Sequence, residues 1–193
     1  MTPIRSVAVF CGSRVGVNPV YACAGRALGH ALGSAGIRLV YGGGRIGIMG
    51  VVADAVLAAG GTVLGVIPEF LTQLEVAHER ATDMVVTDTM HTRKTRLYEE
   101  SDAFLIMPGG LGTFDEAFEI ITWRQLRLHD KPILLCNIAG WAEPLIATID
   151  HAIAQGFADP NARRLFEVVA DIPAALERLS ALPAGAPGQI DRL

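Results

Sequence analysis

Short, unbroken apolar runs rich in Val, Ile and Leu recur along the chain. They cover Val7 to Phe10, Ile37 to Tyr41, Thr62 to Ile67, Met84 to Thr87, Ala103 to Met107, Ile133 to Cys136 and, more weakly, Phe166 to Val169. Runs that are continuous rather than alternating predict strands buried on both faces. Between them the apolar positions take up helical periodicity over Val20 to Ser34, Met49 to Ala59, Thr89 to Ser101, Thr113 to His129, Trp141 to Gln155 and Pro173 to Leu182. Strand and helix alternate throughout, which predicts an α/β fold: a Rossmann-like, doubly wound, mostly parallel sheet with helices on both faces. No repeat or linker interrupts the pattern, so residues 1–183 are expected to form one domain. Ala184 to Leu193 is rich in Pro and Gly and is expected to be a loose tail.

Composition narrows the partners. The 193 residues are 51% hydrophobic and 19% charged, enough for one sizeable core. Sixteen Lys plus Arg against 20 Asp plus Glu give a net charge of −4 without a basic stripe. This argues against a nucleic-acid surface and leaves a small, locally cradled anion as the natural charged ligand. The apolar stretches stop short of the roughly 18 residues that span a bilayer, and Met1 to Arg5 has no signal pattern, so a cytoplasmic protein with no membrane partner is expected. Cys11, Cys23 and Cys136 are scattered and lack C-x-x-C spacing; they read as buried small hydrophobes. His30, His78, His91, His129 and His151 show no ligand spacing, so no metal is expected, and no G-x-S-x-G elbow is present.

In a doubly wound sheet, ligands bind where strands end and helix N-termini begin, and two glycine loops stand there. The first, Gly42 to Gly50, contains a formal G-x-G-x-x-G and is followed by Glu69, about where a ribose-binding acid falls in a dinucleotide site. It follows the second strand rather than the first. Phosphate contact through Gly43 and Gly44 and a simple packing turn both remain open. The second loop, Pro108-Gly109-Gly110-Leu111-Gly112-Thr113-Phe114-Asp115-Glu116, is more informative. Its glycines let backbone N–H groups converge on an anion at a helix end, with the Thr113 hydroxyl beside them. Two acids next to an anion site are unfavourable unless they serve something. Glu116 has two readings: the far end of a Thr113-x-x-Glu116 capping box, or a catalytic carboxylate. For Arg93 and Arg96, three apart on one helix face, the default is a solvated surface.

A set of motifs then points further: Val9-Phe10-Cys11-Gly12-Ser13, Tyr41-Gly42-Gly43-Gly44 with Gly47-Ile48-Met49-Gly50, Gly65-Val66-Ile67-Pro68, Met90-His91-x-Arg93-Lys94, Pro108 to Thr113, and Thr122-Trp123-x-Gln125-Leu126. In this order, from about Val7 to Phe157, the chain resembles the LOG ("lonely guy") family of cytokinin riboside 5'-monophosphate phosphoribohydrolases. The resemblance implies a nucleotide-binding domain without a cofactor. It also implies hydrolysis of the N-glycosidic bond of a purine nucleoside 5'-monophosphate to free base and ribose 5-phosphate. It makes Arg93 and Glu116 the catalytic pair. Glu75, Lys94, Gly109, Gly110, Leu111, Gly112, Thr113, Asp115 and Thr122 would line the substrate site, with Gly43 and Gly44 as further contacts. A carboxylate near C1' would stabilise the oxocarbenium-like state and orient water.

Members of the family are often labelled lysine decarboxylases. Pyridoxal chemistry needs a Schiff-base lysine, for which Lys94 and Lys131 are the only candidates, and the sequence does not support that label. The chain departs from the family pattern in having Asp115 where a glutamate is common and Leu74 where a basic residue is common. The resemblance further implies a homodimer with its active site near the interface. The broad apolar surface of Phe114, Phe118, Ile120, Ile121, Trp123, Leu126 and Leu128 agrees with that expectation. Two other classes stay open: a non-catalytic nucleotide or cofactor carrier on the same scaffold, and, more distantly, an NAD-dependent oxidoreductase.

Overall fold

The computed structural model describes residues 2–72 and 77–185. Its strands are β1 (Ser6–Phe10), β2 (Arg38–Tyr41), β3 (Val63–Pro68), β4 (Asp83–Thr87), β5 (Ala103–Ile106), β6 (Ile133–Cys136) and β7 (Glu167–Val169). The α-helices are α1 (Pro19–Ser34), α2 (Gly47–Ala58), α3 (Met90–Glu99), α4 (Leu111–Gln125), α5 (Glu143–Ala154) and α6 (Ile172–Ala181). Every expected strand and helix is present, with ends shifted by a few residues. The seven strands form one sheet in the order β4-β3-β2-β1-β5-β6-β7, and all the described pairings are parallel.

Period-two geometry divides each continuous run between two cores. Val7 and Val9 of β1 pack with Leu28 and Leu32 of α1, Val52 and Val56 of α2, and Leu179 of α6. Ala8 and Phe10 face the opposite layer, with Leu97 of α3, Ile120 and Trp123 of α4, and Leu145 and Ile149 of α5. This two-sided burial is why the strands read as unbroken apolar stretches. Cys11 and Cys136 are buried as expected, but Cys23 is exposed. Helix α1 buries Gly25, Leu28, Gly29 and Leu32, which turns position 23 to the outer side. At the chain end, Ala184 N donates to Thr2 O at 2.9 Å; residues 186–193 lie outside the described part.

Strand order reverses between β1 and β5, whose registers align Val9 with Leu105 and Phe10 with Ile106. The chain leaves β1 toward one face and enters β5 from the other, so the two following loops part and leave a crevice. Met107 N donates to Phe10 O at 2.8 Å and Gly12 N to Pro108 O at 3.0 Å, fixing the two loops to each other.

Candidate active site

Both glycine loops lie at this carboxyl edge, but their helix ends are used differently. At the start of α2, Ile48 N and Met49 N donate to Gly12 O at 2.9 and 3.3 Å. That N-terminus is therefore satisfied by the protein's own backbone. Gly47, at φ +69°, stands so close to Ser13 that a Cβ there would overlap the Ser13 backbone, and a Cβ at Gly42 would overlap Arg93 Nη2. These glycines exist for packing. Neither Gly43 nor Gly44 lines the cleft. Gly43 O accepts from His78 N at 3.0 Å.

Helix α4 begins differently. Its N-cap is Gly110, in extended conformation with no side chain capping the first turn, so its leading N–H groups and the positive end of its dipole face the crevice. The helix starts at Leu111, which places Thr113 inside the first turn and Glu116 in the second. A Thr113-x-x-Glu116 capping box is thereby ruled out. Thr113 is buried against Gly109 instead. At Gly110 and Gly112, by contrast, an added Cβ would meet nothing within 4 Å. No internal contact asks for glycine at these two positions.

Glu116 is committed to α3. Its Oε1 accepts from Arg93 Nη1 at 2.8 Å, and Arg93 Nε donates to Val66 O at 3.2 Å. The side chains are 11% and 7% exposed, respectively. Arg93 is thus a buried cation rather than the solvated surface charge expected by default. Arg96, three residues on, is the half-exposed one, paired with Glu99 and Glu100. The helix that presents Arg93 is started by Thr89, whose hydroxyl accepts from Thr92 N at 3.1 Å. At its other end Lys131 Nζ donates to Tyr98 O at 2.6 Å and stands 3.8 Å over the Tyr98 ring. Burial outweighs the nearby carboxylates of Asp102, Glu99 and Asp130 and brings the Lys131 pKa down to about 8.

The two helices wall a cleft of about 290 Å³. Of the residues expected at the site, Arg93, Gly110, Leu111, Gly112, Thr113, Asp115 and Glu116 line it. Gly109 lies in an adjoining hollow of about 580 Å³ that shares Gly12, Ser13, Gly110 and Leu111 with the cleft. Thr122 is exposed on α4 and Lys94 pairs with Asp115 and Glu119; neither lines the cleft. Glu75 lies outside the described residues. Reasoning from sequence missed Cys11, Gly12, Ser13, Met49, Leu71 and Met90, which complete the wall. The signal for the first three was available, since a switch point places the loop after β1 opposite the loop after β5.

Cys11 favours the neutral thiol over the nucleophilic thiolate. Burial, and second the Glu116 carboxylate, push its thiol well above the ordinary range. Among the described residues, the charged ones that reach the cleft are Arg93, Asp115 and Glu116. Such a site can hold an anion on backbone amides and set a fixed carboxylate a short way along the same helix. Among the described residues no three His, Cys, Asp or Glu side chains are grouped to hold a metal ion, and no helix is long and apolar enough to cross a membrane.

The family model described as possible lysine decarboxylase matches residues 49–179. The chain is 44% identical over 173 residues to a cytokinin riboside 5'-monophosphate phosphoribohydrolase of Rhodococcoides fascians, covering 89% of this chain and 87% of that protein. It is 41% identical over 175 residues to one of Arabidopsis thaliana, covering 91% and 82%. Among solved structures, the molybdenum cofactor binding protein of Rippkaea orientalis superposes with a TM-score of 0.70 at 19% identity, over 94% of this chain and 97% of that one. A molybdenum cofactor carrier protein of Chlamydomonas reinhardtii gives 0.68 at 21%, over 94% and 100%. At such identities these structures testify to the fold alone.

Proposed function

Because the chain belongs to the LOG family, the group described as possible lysine decarboxylases whose curated members are phosphoribohydrolases, we propose the following reaction for this cleft. The protein is a hydrolase that cleaves the N-glycosidic bond of a cytokinin-type purine nucleoside 5'-monophosphate to free base and ribose 5-phosphate. The decarboxylase description does not suit the site: Lys94 is held by two carboxylates and Lys131 is buried on Tyr98, and neither lysine reaches the cleft.

The observation that carries the reading is the buried Arg93–Glu116 pair in the wall of a cleft that opens on the uncapped N-terminus of α4. The 5'-phosphate seats on the amides of Gly110 to Thr113. Glu116, in the following turn, then faces the ribose. As the bond from C1' to the base nitrogen lengthens, the base departs with the electron pair and positive charge grows on C1' and the ring oxygen. The Glu116 carboxylate stabilises that charge and orients the attacking water, whose oxygen bonds to C1' while one of its protons ends on the departing base. Arg93 holds the carboxylate in place, its Nε and Nη1 already engaged by Val66 and Glu116. Pre-orientation of this kind saves reorganisation at the moment of reaction.

Assembly as a homodimer is supported by the apolar side chains that α4 leaves uncovered, Leu111 and Phe118, with Leu126 just beyond its end. A cytoplasmic setting is supported by the free thiols of Cys11, Cys23 and Cys136.

The test is chromatography of reactions with AMP and with isopentenyladenosine 5'-monophosphate, the unphosphorylated nucleosides serving as controls. Release of base and ribose 5-phosphate from the monophosphates alone supports the reading, and the rate ratio identifies the preferred base. Nucleotide binding without turnover would replace it with the carrier.

A further inference from the structure

The cleft carries more negative charge than one catalytic carboxylate explains. Asp115 lines it with its side chain 58% exposed, and Glu119 follows one turn later on α4. Yet this helix end is where the proposed reaction seats its phosphate. An uncompensated carboxylate there would repel the ligand and weaken binding.

The compensation comes from α3. Lys94, adjacent to Arg93 in the chain, places Nζ 2.8 Å from Asp115 Oδ2 and 3.3 Å from Glu119 Oε2, with its side chain only 15% exposed. The two helices are therefore joined by three ion-pair contacts from two adjacent cations, Arg93 to Glu116 and Lys94 to Asp115 and Glu119. Lys94 is absent from the cleft wall, and two acceptors already engage its ammonium. Two of the ammonium's three donors are accounted for by these carboxylates, and the side chain forms no part of the wall against which a phosphate would lie. Burial raises the Glu119 pKa while Lys94 opposes the rise, in keeping with a carboxylate that depends on its lysine.

We propose that Lys94 and Glu119 are positioning residues: Lys94 neutralises Asp115 so that a phosphate monoester can approach the N-terminus of α4, and Glu119 holds Lys94 on Asp115. The proposal rests on the nucleotide reading above. It replaces direct substrate contact by Lys94 with an effect relayed through Asp115.

Charge rescue distinguishes the alternatives. Adenine release from AMP is measured at low ionic strength for the full chain and for Lys94→Met, Lys94→Arg, Asp115→Asn, Glu119→Gln and the double variant Lys94→Met/Asp115→Asn, each checked by thermal unfolding. Lys94→Met should raise KM about tenfold with kcat within about threefold, equivalent to about 1.4 kcal/mol of binding. Lys94→Arg should stay near wild type, and Glu119→Gln should raise KM severalfold. Removing the Asp115 charge should bring the double variant back to within about threefold of the wild-type KM. A double variant as impaired as Lys94→Met would show a direct ligand and overturn the proposal. So would an unchanged KM in folded Lys94→Met, which would mark an ordinary surface ion pair. Wild-type protein that releases no adenine would instead remove the nucleotide reading itself.

Discussion

Adding one methyl group at Gly42 should damage catalysis without unfolding the protein. Gly42 does not have a positive φ, so its backbone accepts alanine. The new Cβ would sit 3.3 Å from Met49 Sδ and would overlap Arg93 Nη2. Relief requires the guanidinium to retreat by roughly 1 Å to reach ordinary contact distance. The bond it makes with Glu116 is 2.8 Å long, and a shift of that size along it takes it past the limit of hydrogen bonding. A charge-assisted bond of this kind contributes about 1.5–3 kcal/mol, and partial recovery by side-chain rotation leaves about 1–2 kcal/mol of lost stability. For a chain of this size that lowers Tm by about 2–8 °C. The catalytic effect is larger, because a misplacement of about 1 Å at a positioned group costs up to about a hundredfold. Gly42→Ala should therefore lower kcat/KM for AMP by about ten- to a hundredfold, measured by chromatography of released adenine beside a thermal melt. A folded variant with wild-type kcat/KM would refute the argument that Arg93 works by fixing Glu116.

The other predictions follow from the same geometry. Gly110→Ala and Gly112→Ala meet no internal obstacle, so both should melt within a few degrees of wild type. Both should bind AMP at least tenfold more weakly by calorimetry if phosphate approaches these amides, and unaltered affinity would move the phosphate elsewhere. Glu116→Gln keeps the shape and a hydrogen-bond acceptor for Arg93, so it should remain folded while base release falls by about 10²–10⁴-fold; retention of a third of the activity would dismiss Glu116 as the catalytic carboxylate. Lys131 supplies a pH signature. Its folded pKa of about 8 lies below the ordinary 10.5, so between these values the unfolded chain binds more protons and stability increases as pH rises. By urea unfolding, the stability of the wild type relative to Lys131→Met should rise by about 2 kcal/mol between about pH 7.5 and 9.5; the raised thiols of Cys11 and Cys136, which act in the opposite sense, are common to both proteins and cancel in the difference. A difference between the two proteins that stayed constant across this range would refute the assignment to Lys131.

The fold was legible in the sequence because its signals are local. Unbroken apolar runs mean strands covered on both sides, and helical periodicity between them means crossovers, so the alternation yields a parallel α/β sheet without knowledge of any contact. The informative glycine loop was legible for the same reason: Gly109 to Thr113 sits between a strand and a helix, where amides gather. What the sequence left open were choices between equivalent local patterns. Two glycine-rich helix starts were candidates for an anion, and only the position of Gly12 O against Ile48 N and Met49 N shows that α2 is already satisfied while α4 is open. The Thr113-x-x-Glu116 spacing is a valid capping pattern, and only the start of α4 at Leu111 removes it. Arg93 and Arg96 look alike in sequence, yet one is buried on Glu116 and the other lies at the surface. Helical phase sets the faces of α3; which of them meets α4 is fixed by the return of β5 beside β1. Residues 23 positions apart become partners because the sheet sets α3 and α4 on one face. Periodicity records how deeply each position is buried, but it cannot name the neighbour it is buried against, and the chemistry of this cleft lies in those neighbours.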